Sequence, residues 1–352
     1  MVADHQGRKH SRRMTRGKPM RRREFIGLLG GLATAHPLVA RAQQTTSMPQ
    51  IGILAPGRSE QYDTIDATNT SFLQGLHQLG YAECRNILIE REYGEWSADR
   101  MRDRAAQLVV RKVDLIVTLS TTAARAAKQA TGTIPIVAIA MADPVADGLV
   151  ASLARPGGNV TGTTFLGPEL VAKRLQLLKE VVPGLSRVAA LWHPSAYSER
   201  TTAALLNEIE AAARTLRLQL RMVQASHPDD FAAAFAAIGM DNPGALIVLP
   251  SPTLFGEYKQ IVTMAASSRL PAMGAAREFV DVGGLISYGV NLPDLARQTA
   301  VYADKILKGA KPAELPVQQP TKFELVINLK TARELGLTIS RDFLLVADDV
   351  IE

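Results

Sequence analysis

Residues Thr133–Phe165 read TIPIVAIAMADPVADGLVASLARPGGNVTGTTF. Ile134-Pro135-Ile136-Val137-Ala138-Ile139 is an unbroken apolar run, the pattern of a strand buried on both faces. Asp143-Pro144-Val145 follows as that strand ends. Val145, Leu149, Val150 and Leu153 then recur at helical spacing and predict a short amphipathic helix. Pro156-Gly157-Gly158-Asn159 turns the chain into a second strand, Val160 to Phe165. Open α/β sheets place ligands at strand ends and in the turns after them. The stretch is therefore expected to form one wall of a ligand cleft and then to cross from one lobe to another.

The same rhythm extends toward the N-terminus. QIGILA (50–55) reads as a first strand, and Phe72, Leu73, Leu76 and Leu79 share one face of a helix that Gly80 stops. NILIEREY (86–93) is a second strand. Ser97 suits the N-cap of a helix over 98–111. VDLIVTL (113–119) is a third strand, running into Ser120-Thr121-Thr122 and a helix to Thr131. Strands alternating with helices in this way predict a parallel, doubly wound sheet with right-handed crossovers.

After Phe165 the rhythm begins again. Helices are expected over 168–182, 198–216, 229–238, 254–268 and 293–307. Strands are expected at 187–192, 219–223, 245–249, 271–273 and 283–289. The Pro- and charge-rich segment 308–322 reads as a crossing linker. Segments 323–329 and 339–346 close the chain around a short helix at 330–335. A chain of 352 residues has room for two such lobes.

The net charge of +6 is misleading. Residues 1–42 hold ten of the 40 Lys/Arg and two of the 34 Asp/Glu, leaving 30 bases against 32 acids in the rest. A basic nucleic-acid footprint is thereby excluded from the body. Arg21-Arg22-Arg23, the apolar run Phe25–Ala33 and Ala40-Arg41-Ala42 have the layout of a cleavable bacterial signal peptide. Arg22-Arg23-Glu24-Phe25-Ile26 also fits the twin-arginine pattern. The expectations are export to the periplasm, cleavage near Ala42, and a true start at Met1 or Met20. The single cysteine, Cys84, can close no intrachain disulfide.

Enzyme chemistry finds little support. Beyond the leader only His77, His193 and His227 remain, and no HExxH, CxxC, GxSxG or GxxxxGK[ST] pattern occurs. No metal and no cofactor are expected. Binding chemistry finds more. Ser120, Thr121 and Thr122 stand where a strand gives way to a helix, and hydroxyls with free N–H groups there suit a carboxylate, or simply cap the helix. Asp143 is placed to accept from a ligand ammonium or to cap its own turn. Ser195 and Ser251 end strands of the second lobe and face the same cleft or cap their loops. Tyr288 stacks on or bonds to a ligand, or belongs to the core or a hinge, and Trp192 divides evenly between core and cleft. Lys173-Arg174 reads as a solvated helix face.

Several long phrases point one way together: DPVADGLVASLARPGGNVTGTT, KRLQLLKEVVP, GGLISYGVN and ILKGAKPAELPVQQPTKFELVINLKTARELGL. They resemble the substrate-binding family of ABC transporters typified by tryptophan- and tyrosine-binding proteins, over nearly all of residues 49–352. The resemblance implies a type I periplasmic-binding fold, two doubly wound α/β lobes joined by a three-strand hinge. It implies a small-molecule ligand, amino-acid-like or carboxylate, delivered to an inner-membrane ABC permease by a monomer that is not an enzyme. Ser120-Thr121 and Asp143-Pro144 match first-lobe cleft positions. One departure is Leu119-Ser120, where many relatives carry a glycine. The first lobe is expected over 49–163 plus about 290–318, the second over 164–287 plus about 319–352. Gly162, Thr163, Thr164, Ser287 and Gly289 are the hinge candidates. The alternative is an enzyme acting on a small molecule on the same scaffold. A sugar-repressor-like regulator would need a DNA-binding motif where the leader stands.

Overall fold

The computed structural model describes residues 48–58, 63–167 and 169–352. The leader expected at 1–42 lies outside them. Element order is β1 (Gln50–Ala55), α1 (Asp63–Gln78), β2 (Leu88–Tyr93), α2 (Ala98–Val110), β3 (Leu115–Leu119), α3 (Thr121–Ala130), β4 (Ile136–Met141) and β5 (Val160–Thr164). Then come α4 (Val171–Val181), β6 (Arg187–Trp192), α5 (Glu199–Thr215), β7 (Gln219–Gln224), α6 (Phe231–Met240), β8 (Ala245–Val248), α7 (Pro252–Gly256), α8 (Tyr258–Ser267) and β9 (Ala272–Gly274). The chain closes with α9 (Arg277–Asp281), β10 (Ile286–Gly289), α10 (Leu292–Leu307), β11 (Glu324–Asn328), α11 (Leu329–Glu334), α12 (Arg341–Leu345) and β12 (Asp349–Ile351).

These elements build two sheets. The first has the order β2-β1-β3-β4-β5 and is parallel throughout. Its central strands are apolar on both faces because both faces are covered. Ile53, Val117 and Val137 enter one core, and Leu54, Ile116 and Ala138 the other. Each fully buried Val, Leu or Ile contributes roughly 1.5–3 kcal/mol. The second sheet has the order β12-β11-β10-β9-β8-β6-β7. One pair in it, β10 with β11, is antiparallel. The reason is connectivity: β11 enters from the first lobe across the linker, not by a crossover helix of its own lobe.

The chain passes between the lobes three times: at 165–170, at 290–291 and along 308–323. Although late in sequence, α10 packs along α1 and against β4 and β5. Tyr81 Oη donates to Asp304 Oδ1 at 3.0 Å. The linker is bound to β5: Gln318 N–H donates to Gly162 C=O at 2.9 Å, Thr164 N–H to Gln318 C=O at 2.9 Å, and Thr161 Oγ1 to Leu315 C=O at 2.7 Å. The first and third crossings therefore lie side by side. Gly162 has φ +136°, and a Cβ there would stand 2.0 Å from Ala138 C=O, so only glycine fits.

Three local expectations are corrected. The amphipathic helix expected after Val145 is a series of turns, in which the Pro144 carbonyl accepts from both Leu149 and Val150. Leu149 and Val150 are buried as a helix would bury them, but Val145 is exposed. The helix expected over 254–268 is broken at Glu257 into α7 and α8. Segment 339–346 is the helix α12, capped by Ser340, and the last strand lies beyond it.

Candidate functional site

Two adjacent spaces open between the lobes. The inner chamber, about 70 Å³, takes Thr68, Leu119, Ser120, Thr121, Ile139 and Ala140 from the first lobe. From the second lobe come Tyr197, Ser251, Pro252 and Phe255, with Phe165 and Leu292 entering from the crossings. A single water needs roughly 10–15 Å³ on this measure, so the chamber has room for several waters or a small solute. Its wall is mostly hydrocarbon, with hydroxyls as its polar groups. The outer groove is larger, about 870 Å³, and runs between α3 and α5. Tyr197 and Pro252 belong to both walls.

The start of α3 sets the first-lobe corner. Ser120 is its N-cap, with Oγ accepting from Ala123 N–H at 3.2 Å. Its φ of +137° and ψ of 166° lie in a region that glycine alone occupies without strain. Ala140, on the chamber wall, also has positive φ, +57°, at a register shift between β4 and β5. Its N–H donates to Thr163 Oγ1 at 3.1 Å. Two of the positive-φ residues thus stand on the chamber wall. Thr121 Oγ1 accepts from Ala142 N–H at 2.9 Å, which leaves its proton free to donate inward. Ser120 Oγ and Thr122 Oγ1 lie 2.9 Å apart.

The sequence candidates divide between the two spaces and the hinge. Ser120, Thr121 and Ser251 line the inner chamber; Ser251 is 1% exposed and caps α7 through Leu254 N–H. Thr122 and Ser195 line the outer groove. Asp143 and Pro144 line neither; Asp143 Oδ1 accepts from Ala146 N–H at 2.9 Å and holds its own turn. The Tyr288 ring packs on Phe323 at 6.1 Å, away from the chamber. Gly289 ends β10 where a Cβ would stand 1.8 Å from Ala275 C=O. The hydroxyls of Thr164 and Ser287 are buried without a hydrogen-bond partner among the described residues. Trp192 belongs to the core, 8% exposed.

Four residues that matter here were not read correctly from sequence. Arg174, expected in solvent, is fully buried. Its Nε donates to Tyr288 C=O at 2.7 Å and its Nη1 to Gly167 C=O at 2.8 Å. One side chain of α4 thus ties the first crossing to the end of β10, where the second begins. Burial pushes its pKa down to about 10, so it stays charged at neutral pH. The signal was present: Arg174 shares the face of Val171, Leu175 and Leu178. Tyr197 joins both spaces, donating to Pro250 C=O, and burial pushes its phenol up. Asp147 reaches across from the turns after β4, its Oδ1 accepting from Ser198 N–H at 3.2 Å and Thr201 Oγ1 at 2.8 Å at the start of α5. It is an interlobe latch. Arg125 lines the outer groove.

Comparison with known proteins agrees with this geometry. The model of the ABC transporter substrate binding protein family matches residues 60–351. A tyrosine-binding protein of Clostridioides difficile (strain R20291) is 26% identical over 279 residues, 79% of this chain and 79% of its own length. A conserved domain protein from Vibrio cholerae superposes with a TM-score of 0.79 at 29% identity, over 86% of this chain and all of its own. The ABC domain in complex with L-Trp from Streptococcus pneumonia gives 0.78 at 29% identity, over 87% of this chain and all of its own. The architecture is the type I periplasmic-binding fold. The chain belongs to the family of ABC transporter substrate binding proteins.

Proposed function

We propose that this protein is the periplasmic solute-binding component of an ABC importer, capturing an amino-acid-like or carboxylate solute between its lobes and handing it to an inner-membrane permease. The observation that carries the reading is the inner chamber, whose wall comes from both lobes and two crossings. A solute in it touches both lobes only when they are closed, so binding shifts the population toward the closed form. Leu119, Ile139, Phe165 and Phe255 suit an apolar body, and the hydroxyls of Ser120, Thr121 and Ser251 suit a few polar atoms at its end. The tyrosine- and tryptophan-binding relatives support the amino-acid-like class. The basic, apolar and Ala-Arg-Ala segments of residues 21–42 support export. In this reading the lobes divide as 49–163 plus about 290–318 and 164–287 plus about 319–352. The mature protein works as a monomer and releases its solute unchanged.

Native mass spectrometry of the purified protein, followed by a thermal-shift panel of amino acids, short carboxylates and purines, tests the reading. A solute at 100 times its Kd adds about 2.7 kcal/mol to folding stability. No bound species and no shift across the panel would contradict it, as would turnover of a bound solute.

A further inference from the structure

The outer groove carries a charge that no acceptor among the described residues matches. Arg125 follows Thr122 by one turn on the same face of α3, and both line the groove with Gln129. The Arg125 Nε and Nη2 atoms are buried, and neither meets a hydrogen-bond acceptor among the described residues. These two nitrogens lie on one edge of the guanidinium with parallel N–H bonds, the spacing that takes both oxygens of a carboxylate. The neighbouring charges do not answer it. Arg102 pairs with Asp99. Glu199, the one carboxylate lining the groove, stands exposed at the start of α5. Burial lowers the pKa of His193, so it is neutral at pH 7. On the facing helix, Thr202 Oγ1 is also buried without a partner among the described residues. A guanidinium held away from water without an anion is costly, and an entering anion removes that cost.

We infer that Arg125 receives the carboxylate of the solute in the outer groove, with Thr122 and Thr202 beside it, while the apolar body reaches past Tyr197 and Pro252 into the inner chamber. The inference rests on the solute-binding reading and narrows it to small monocarboxylates with an aromatic or branched apolar body. It also moves the anion from the capping hydroxyls of Ser120 and Thr122, which bond each other, one turn along α3.

Calorimetric titration of the full chain separates the two ideas. The probes are L-tyrosine, L-tryptophan, L-phenylalanine, L-leucine, 3-phenylpropionate and indole-3-propionate, each beside its carboxamide, with neutral polyols as a further series. The variants are Arg125→Gln and Arg125→Lys. We expect at least one carboxylate to bind, its carboxamide to bind at least 100-fold more weakly, and Arg125→Gln to abolish that preference while Arg125→Lys keeps part of it. Equal binding of acid and amide, full affinity in Arg125→Gln, or binding of polyols alone would overturn the carboxylate assignment and leave the solute-binding reading standing. No binding in any series would remove both. Thermal unfolding of each variant without solute shows that the fold is intact.

Discussion

Two arginines, the fully buried Arg174 at the hinge and the half-buried Arg125 in the groove, are the same chemical group differently partnered. Arg174 is fully buried and donates to two backbone carbonyls, one on each of two chain passages. Arg125 offers two buried nitrogens to an open groove and finds no acceptor among the described residues. The first is held by the fold through Nε and Nη1, although its Nη2 finds no partner among the described residues. The second is left to be satisfied from outside. Structural and binding charge separate here by where the hydrogen bonds end: on the chain's own carbonyls for Arg174, on no acceptor among the described residues for Arg125.

The sharpest break of this contrast removes Arg174. Arg174→Ala leaves a large cavity and strips charged donors from the Gly167 and Tyr288 carbonyls. It should cost about 4 kcal/mol of stability in urea unfolding. A loss below about 1 kcal/mol would mean that the clasp holds nothing together. Arg125→Gln should behave in the reverse manner: little change in unfolding without solute, and a loss of carboxylate affinity of about 100-fold, or roughly 2.7 kcal/mol.

A half-buried carboxyl tests the effect of burial through pH. Burial raises the Glu278 carboxyl, in α9, to about 7. Between about pH 4.5 and 7 the folded state then holds a proton that the unfolded state has lost. Stability should therefore fall as pH rises through that window and level off above it. Discounted for partial exposure, the fall is on the order of 2 kcal/mol. Urea unfolding of Glu278→Gln against the parent over pH 4–8 should flatten this slope; an identical slope in both would assign it elsewhere.

The smallest effect concerns the latch. Asp147→Ala deletes two hydrogen bonds that join the lobes, worth about 1 kcal/mol net because Asp147 Oδ2 is itself buried and unpartnered among the described residues. Small-angle scattering of the solute-free protein should show a more open average shape, and solute affinity should fall about fivefold. Unchanged scattering would make Asp147 a local cap only.

How much of this was legible in the chain depends on range. The strand-helix rhythm was readable because β1, β3 and β4 are apolar on both faces, a local signal of a covered parallel sheet. Gly162 lies inside β5, and the steric reason for its glycine, the Ala138 carbonyl, was not legible because it lies on another strand. The turns after β4 misled because they bury Leu149 and Val150 at helix-like spacing while Pro144 C=O collects both N–H groups. Of the binding candidates, Ser120, Thr121 and Ser251 were picked out by their position at strand ends, and they line the inner chamber. Arg125, Asp147 and Tyr197 were not, since their roles depend on what the opposite lobe brings to face them. Arg174 could have been found, because its face of α4 is the apolar one.

In the solute-binding reading, the solute sits in the chamber lined by both lobes. Leu292, partly exposed at the first turn of α10, lines that chamber from the second crossing. Leu292→Trp places an indole into the space without touching the groove or the hinge arginine. Titration of this variant with the tightest-binding carboxylate found for the parent is the most direct test. An affinity loss of more than 100-fold, with unfolding of the solute-free protein unchanged, is the expected result; parent-like affinity would show that the chamber is not where the solute binds.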